Sequence, residues 1–479
     1  MLYQRLCLRH LKHVLKIAIR HHSGSGGKPQ VCVIGSGPAG FYTAQQLLKG
    51  NPDIHVDIYE KLPVPFGLVR YGVAPDHPEV KNVINTFTQT ANKDRCSFIG
   101  NVTIGKDISV AELQKFYTAI VLSYGAEDDR KLGIPGEDLP NVISARNFVG
   151  WYNGLPEDRN LAVDLDTDTA IVLGHGNVAL DVARILLTPV DILAKTDITE
   201  YSLEKLRQSR IERVILVGRR GPLQVAFTIK ELREMVKLPG TRPVLHTNDY
   251  LGLDDIAKDL PRPRKRLTEL LYKTALTPTS TDQKIWASAT KEWELRFRLS
   301  PLEILSSNSS KLSGVRFGVN RLEGSELTTQ KAVLTEKTED IPCGLVLRSI
   351  GYRSWQIDPD IPFDERQGVI RNNKGRVDGK TGLYCSGWAG RGPVGVILGT
   401  MTDGFEVGKL VLKDIEDGML QVNTGRDNAL QLLQDRGVSV VSFKDWEKID
   451  CVETADGEKN GKPREKIVET DRLINIAKT

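Results

Sequence analysis

Two stretches of this chain, VCVIGSGPAGFYTAQQLLKG at 31–50 and IVLGHGNVALDVARIL at 171–186, repeat one pattern: an apolar strand, a glycine turn and an amphipathic helix. Such a unit buries its apolar surface by laying the helix back on a parallel sheet, so each copy commits its surroundings to an α/β layer structure. The expected fold class is α/β with two Rossmann-like dinucleotide-binding domains. A chain of 479 residues, too long for one ordinary domain, has room for both.

In the first copy, GSGPAG places Gly35, Gly37 and Gly40 in full G-x-G-x-x-G spacing. Gly35 makes the tight turn, Gly37 lets backbone approach a pyrophosphate, and Gly40 lets helix and strand pack closely. The helix N-terminus offers free N–H groups and the positive end of its dipole to phosphate. A second strand, HVDIYE, ends in Glu60. A carboxylate there accepts hydrogen bonds from ribose hydroxyls and repels a 2′-phosphate, which points to FAD or NAD.

The second copy has Gly174, Gly176 and Ala179, and its next strand ends in Arg219 and Arg220. Ala179 adds a methyl group, so helix and strand should sit slightly further apart. Guanidinium groups in the place of Glu60 bind a 2′-phosphate bidentately, which points to NADPH. A protein holding both most simply keeps FAD as a prosthetic group and uses NADPH as hydride donor.

Composition narrows the setting. The formal charge of +4 is set by the first 30 residues, where Arg5, Arg9, Lys12, Lys16, Arg20 and Lys28 occur without an acid. Without those six the sign reverses, so no nucleic-acid partner is expected. Five of the cations fall on one stripe of an amphipathic helix, and SGSGG then breaks it. The leader, 1–29, reads as a mitochondrial transit peptide. The six cysteines are scattered without a Cys-x-x-Cys, and no histidine ligand spacing occurs, so no redox disulfide, iron–sulfur cluster or metal site is expected within the chain.

The segments EKLPVPFGLVRYGVAPDHPEVKNV, LTPVDILAKTDITEYSL, VGRRGPLQVAFTIKELREM, PRPRKR and GLYCSGWAGRGPVGVI are long and unusual. Together they resemble the adrenodoxin reductase family, the NADPH-dependent mitochondrial ferredoxin reductases, from residue 30 to the C-terminus. The resemblance implies a discontinuous FAD domain, 30–128 and 353–479, with an NADPH domain, 129–352, inserted. AIVLSYGAEDDRKLGIPGED reads as the last strand and exit loop before the insertion, and CGLVLRSIGY and TGLYCSGWAG as strands with no place in the second unit.

The same resemblance implies FAD contacts at Ala39, Glu60, Leu68, Ile104, Trp388, Gly395, Val396 and Ile397. For NADPH it implies His175, Asn177, Val178, Arg219, Arg220, Glu231 and Gly395 beside the fingerprint glycines. His175 is expected to face solvent from its turn. His77 and Asp181 are the polar groups it brings near the nicotinamide, where an imidazole steadies the ring amide or relays a proton.

With no internal cysteine pair or cluster, electrons on the flavin need an external acceptor. PRPRKR supplies Arg262, Arg264, Lys265 and Arg266, and ELREM adds Arg233, a local patch that would steer an acidic partner. The resemblance implies that Arg233, Arg262 and Arg266 contact an acidic [2Fe–2S] ferredoxin, serving steroid hydroxylation, iron–sulfur assembly or both. A monomer in the mitochondrial matrix, at most peripheral on the inner membrane, is expected. The alternative is an NADPH-binding flavin redox sensor without ferredoxin turnover. Residues 268–295 and the tail ETADGEKNGKPREK carry no readable pattern.

Overall fold

The computed structural model describes residues 27–307, 311–395 and 397–479. The expected transit peptide, apart from residues 27–29, and Val396 lie outside the described residues.

Two parallel sheets organise the chain. The first runs in the order Asn372–Asn373, Arg376–Val377, Leu383–Cys385, Ala119–Leu122, Gln30–Ile34, His55–Tyr59, Cys96–Ile99. Its last five strands are parallel, and the two short edge strands are antiparallel. The second is parallel throughout: Val142–Ser144, Leu345–Arg348, Thr169–Leu173, Arg213–Val217, Lys291–Arg296, Thr241–Leu245. The first sheet is therefore built from two separated stretches of chain, with the second sheet inserted between them. The two crossings lie side by side, Tyr352 and Arg353 pairing antiparallel with Asp129 and Asp128.

Fingerprint strands are buried along nearly their whole length, as strands covered on both faces must be. In the second unit helices cover one face. A three-stranded antiparallel sheet, Leu299–Ser306, Leu312–Glu323 and Lys331–Pro342, packs Val315 and Phe317 onto Ile171, Leu173, Ile215 and Val217 of the other. In the first unit, helix Ile397–Glu416 lies on the fingerprint helix Pro38–Gly50. The approach depends on Gly404 and Gly408, where an added Cβ would come 2.7 Å from Tyr42 Cβ and 2.8 Å from Gln46 Cβ.

Three sequence readings need correction. CGLVLRSIGY does have a place in the second unit: Leu345–Arg348 sits between Val142–Ser144 and Thr169–Leu173, because the fingerprint strand needs a parallel neighbour on that side. Residues 268–295 form helices Arg262–Leu276 and Ser280–Ala287 and lead into strand Lys291–Arg296, whose Trp293 is fully buried.

The polar tail is a strap. Helix Phe443–Lys459 starts with a Ser442/Asp445 capping box, and its Glu453 is fully buried against Arg70 and Arg464. Beyond it, the Glu465 carboxylate accepts from Glu200 N at 2.9 Å, and Lys466 lies 3.0 Å from Asp197. Lys81, from the first unit, holds the same Asp197 at 2.7 Å. The two lysines push the Asp197 carboxyl down against the opposing effect of burial, while burial pushes the Lys466 ammonium down to about 7. Among the described residues, no helix is long and apolar enough to cross a membrane.

Candidate functional site

The first cradle forms where Gln30–Ile34 meets its helix. Gly35 N donates to Tyr59 O at 2.8 Å, and its positive φ of 104° brings the turn against the Ser123 backbone. A Cβ on Gly40 would overlap the Gly35 carbonyl oxygen, whereas Gly37 faces open space. Among the described residues no side chain caps the helix at Gly37, which leaves its first-turn N–H groups open to a ligand. Glu60 stands at the mouth: one carboxylate oxygen accepts from Ser36 N at 3.0 Å and Ser36 Oγ at 2.7 Å, the other from Leu62 N at 3.2 Å.

The remaining expected FAD residues distribute unevenly. The backbone at Phe66–Gly67 turns through positive φ and packs on Gly37, setting the exposed Leu68 beside the fingerprint. Ala39 is buried against Gly387, where a Cβ would come 2.6 Å from its own. Trp388 therefore follows directly beside the cradle, its ring 5.9 Å from that of Tyr352. Gly395 is exposed and Ile397 half-buried at the start of the covering helix. Ile104 is buried in the core on the far face of the sheet.

The cradle passes a simple test for a large polar ligand. Ser386 Oγ and Trp388 Nε1, flanking Gly387, are buried without a hydrogen-bond partner among the described residues. Buried polar atoms are rarely left unpaired, so a bound group with polar atoms fits here.

In the second cradle, Gly174 N donates to Val217 O at 2.8 Å, Gly176 faces open space, and helix Asn177–Leu187 starts uncapped. Ala179 is fully buried, and Val178 is half-buried behind it. Asn177 Oδ1 accepts from Thr228 N at 2.8 Å, tying the turn to helix Ile229–Val236. His175 departs from expectation. Its ring turns inward, with Nε2 3.0 Å from Leu216 O and the ring between Phe227 and Phe297. Gly218 makes the room, since a Cβ there would overlap the ring. Burial pushes the imidazole pKa down to about 4, so it is neutral near pH 7. At the end of the next strand Arg219 is exposed and Arg220 half-buried, and neither forms an ion pair among the described residues.

Between the cradles lies a cluster that sequence reading found only in part. His77 Nε2 is 2.7 Å from Glu234, and Asp181 accepts from Arg184 Nη2 at 2.7 Å. Arg184, itself buried, joins them: it also binds Asp76 and lies 3.3 Å from Glu231 and 3.7 Å from Glu234. Four carboxylates thus face one guanidinium. Burial and the neighbouring Asp181 push the Glu231 carboxyl up to about 7, and burial raises Asp181 despite Arg184. His77, Glu231 and Glu234 could in geometry share a cation, but Arg184 already supplies the positive charge there. The missed signal was Arg184 itself, a charge in the apolar helix ALDVARILL three residues after Asp181.

Arg262 and Arg266, one turn apart on their helix, and Arg233 on Ile229–Val236 are all exposed. None has a carboxylate partner among the described residues, whereas Arg242, Arg296 and Arg298 nearby do. The patch keeps its charge free.

A family model described as pyridine nucleotide-disulphide oxidoreductase matches residues 29–234. The human protein named NADPH:adrenodoxin oxidoreductase, mitochondrial, is 60% identical over 461 residues, covering 95% of this chain and 94% of its own length. The Arabidopsis thaliana protein of the same name is 44% identical, with 96% and 97% covered. The solved structure of Mycobacterium tuberculosis FprA in complex with NADPH superposes with a TM-score of 0.88 at 38% identity, covering 94% of this chain and all of that one.

Proposed function

The chain belongs to the NADPH:adrenodoxin oxidoreductase family, and on that premise we propose that it is a mitochondrial, FAD-containing reductase that takes hydride from NADPH and passes electrons singly to adrenodoxin, a [2Fe–2S] ferredoxin. The observation that carries this reading is the opposite sign of the two cradle mouths, Glu60 in one and unpaired Arg219 and Arg220 in the other. The relatives' names as oxidoreductases favour turnover over the sensor alternative.

In this reading, FAD occupies the first cradle. Gly35, Gly37 and Gly40 give backbone access, Glu60 receives the ribose hydroxyls, and Leu68, Trp388, Gly395 and Ile397 enclose the rest, while Ile104, in the core on the far face of the sheet, has no place against the ligand. Bound flavin supplies the hydride-accepting, one-electron-releasing chemistry that no side chain offers. NADPH lies along Gly174 to Val178 with its 2′-phosphate on Arg219 and Arg220, and Glu231 and Gly395 reach its nicotinamide half. Inward-turned His175 holds the turn rather than the ligand. His77 and Asp181 are kept at the junction through Glu234 and Arg184, where His77 can hold a proton on Nε2. We assign 30–128 and 353–479 to the FAD domain and 129–352 to the NADPH domain. Arg233, Arg262 and Arg266 receive adrenodoxin. The protein acts as a matrix monomer, at most peripheral on the inner membrane, without a metal of its own or a nucleic-acid partner.

Purified protein should be yellow, be bleached anaerobically by NADPH, and reduce cytochrome c only when adrenodoxin is added. A colourless preparation, or full cytochrome c reduction without adrenodoxin, would overturn the proposal. Adrenodoxin reduction should also slow steeply with ionic strength while reduction of a neutral dye does not. Equal salt dependence would remove the basic dock.

A further inference from the structure

The basic segment PRPRKR divides between two sides of one helix. In helix Arg262–Leu276, Arg262 and Arg266 are four residues apart and share an exposed face. Arg264 is about 200° around the axis from Arg262, on the other side. It is half-buried, and its Nη1 donates to Val225 O at 2.8 Å. Arg220 reaches the same turn from the fingerprint strand, its Nη2 donating to Gln224 O at 3.5 Å. Two guanidiniums thus grip the successive carbonyls of Gln224 and Val225, at the end of the short turn Pro222–Gln224.

No ion pair compensates them. Among the described residues Arg219, Arg220 and Arg264 have no carboxylate within reach, while Arg213, Arg242, Arg296 and Arg298 of the same unit are all paired. Burial, and next to it the charge of Arg220, push the Arg264 guanidinium below its ordinary value. Like charges gathered in a partly desolvated place are unfavourable unless an anion joins them. A guanidinium has five N–H donors, and this one spends a single hydrogen bond on protein.

We infer that Arg264 is a third guanidinium of the NADPH 2′-phosphate site, a residue that sets the preference for phosphorylated nucleotide and not a part of the adrenodoxin dock. The inference rests on the assignment of Arg219 and Arg220 to that phosphate. A tetrahedral phosphate dianion offers three oxygens, enough for Arg219, Arg220 and Arg264 to donate at once. The turn at 222–225 holds the fork of Arg264 in place, so little side-chain freedom remains to be lost on binding.

The test uses the flavin-loaded enzyme and isothermal titration with two probes, adenosine 2′,5′-bisphosphate and adenosine 5′-monophosphate. Arg264→Gln should weaken the bisphosphate about 10-fold and leave the monophosphate unchanged. Arg264→Lys, which keeps charge but loses the fork, should fall between wild type and Gln. The KM for adrenodoxin should not move in either variant. Equal weakening of both probes would show a structural role for Arg264 and overturn the inference. An unchanged bisphosphate affinity with a raised adrenodoxin KM would return Arg264 to the dock. Arg219→Gln is the control: if it weakens the bisphosphate and Arg264→Gln does not, the inference alone fails. If neither does, the assignment of the phosphate site fails with it.

Discussion

The two glycine turns differ most in the residue between their first two glycines. In the first, the buried Ser36 donates from both N and Oγ to Glu60, fixing an anion at the mouth. In the second, His175 turns under the strand to Leu216 O and leaves the mouth to Arg219 and Arg220. The third position differs too: Gly40 has no room for a methyl, while Ala179 is accommodated with full burial. One backbone motif thus gives a tight, anionic cradle and a looser, cationic one. In the proposed reading, side chains at the rim and not the glycines decide whether a 2′-phosphate is refused or received.

The largest effect should come from exchanging the third positions. Gly40→Ala drives a methyl into the Gly35 carbonyl, which is fixed backbone, and should cost about 3 kcal/mol and strip flavin from the protein. Ala179→Gly should cost only about 1–2 kcal/mol, with both nucleotides still bound. Flavin absorbance per chain measures the first and urea unfolding the second; equal tolerance at the two sites would erase the contrast in packing.

Acid should act on the second cradle through His175. Its pKa is near 4 when folded and near 6.5 when unfolded, so between those values the unfolded chain binds a proton that the folded one refuses. The contribution is complete above about pH 6.5 and is lost as pH falls towards 4, about 3 kcal/mol in all. In His175→Asn, the urea midpoint should fall less steeply over that range. An unchanged slope would mean that the ring is not held neutral.

At the rim, replacing Arg219 and Arg220 together with Gln should lower kcat/KM for NADPH about 10- to 100-fold and leave NADH nearly unaffected. Steady-state kinetics with both donors decides it, and a parallel loss for NADH would remove the phosphate from these residues. Smallest is Ser36→Ala, which removes one hydrogen bond to Glu60 and should raise the FAD dissociation constant about fivefold, for a loss of about 1 kcal/mol. Flavin release on dilution reads this directly; no change would mean that Glu60 is held well enough by backbone.

Both cradles were legible in the sequence because their signals are local: strand, glycine spacing, helix and terminal charge lie within a few tens of residues. The orientation of His175 was not, since it depends on the room at Gly218 and on Phe297, far along the chain. Strand Leu345–Arg348 was misplaced for a related reason: an apolar run states burial without stating which sheet receives it. Arg184 pairs with Asp181 three residues before it on one helix, but Asp76 and Glu231 reach it from two other segments, and no spacing rule connects those. The tail looked featureless because its order comes from buried ion pairs at Glu453 and Lys466 and not from apolar periodicity.

The central claim is that the acidic mouth excludes, and the arginine mouth receives, a phosphorylated adenosine. A crystal structure of the flavin-loaded protein with NADP+ tests it most directly. The account predicts the 2′-phosphate within hydrogen-bond distance of Arg219 and Arg220, with Glu60 on the ribose of FAD; an NADP+ adenosine lodged beside Glu60, with both arginines facing solvent, would contradict it.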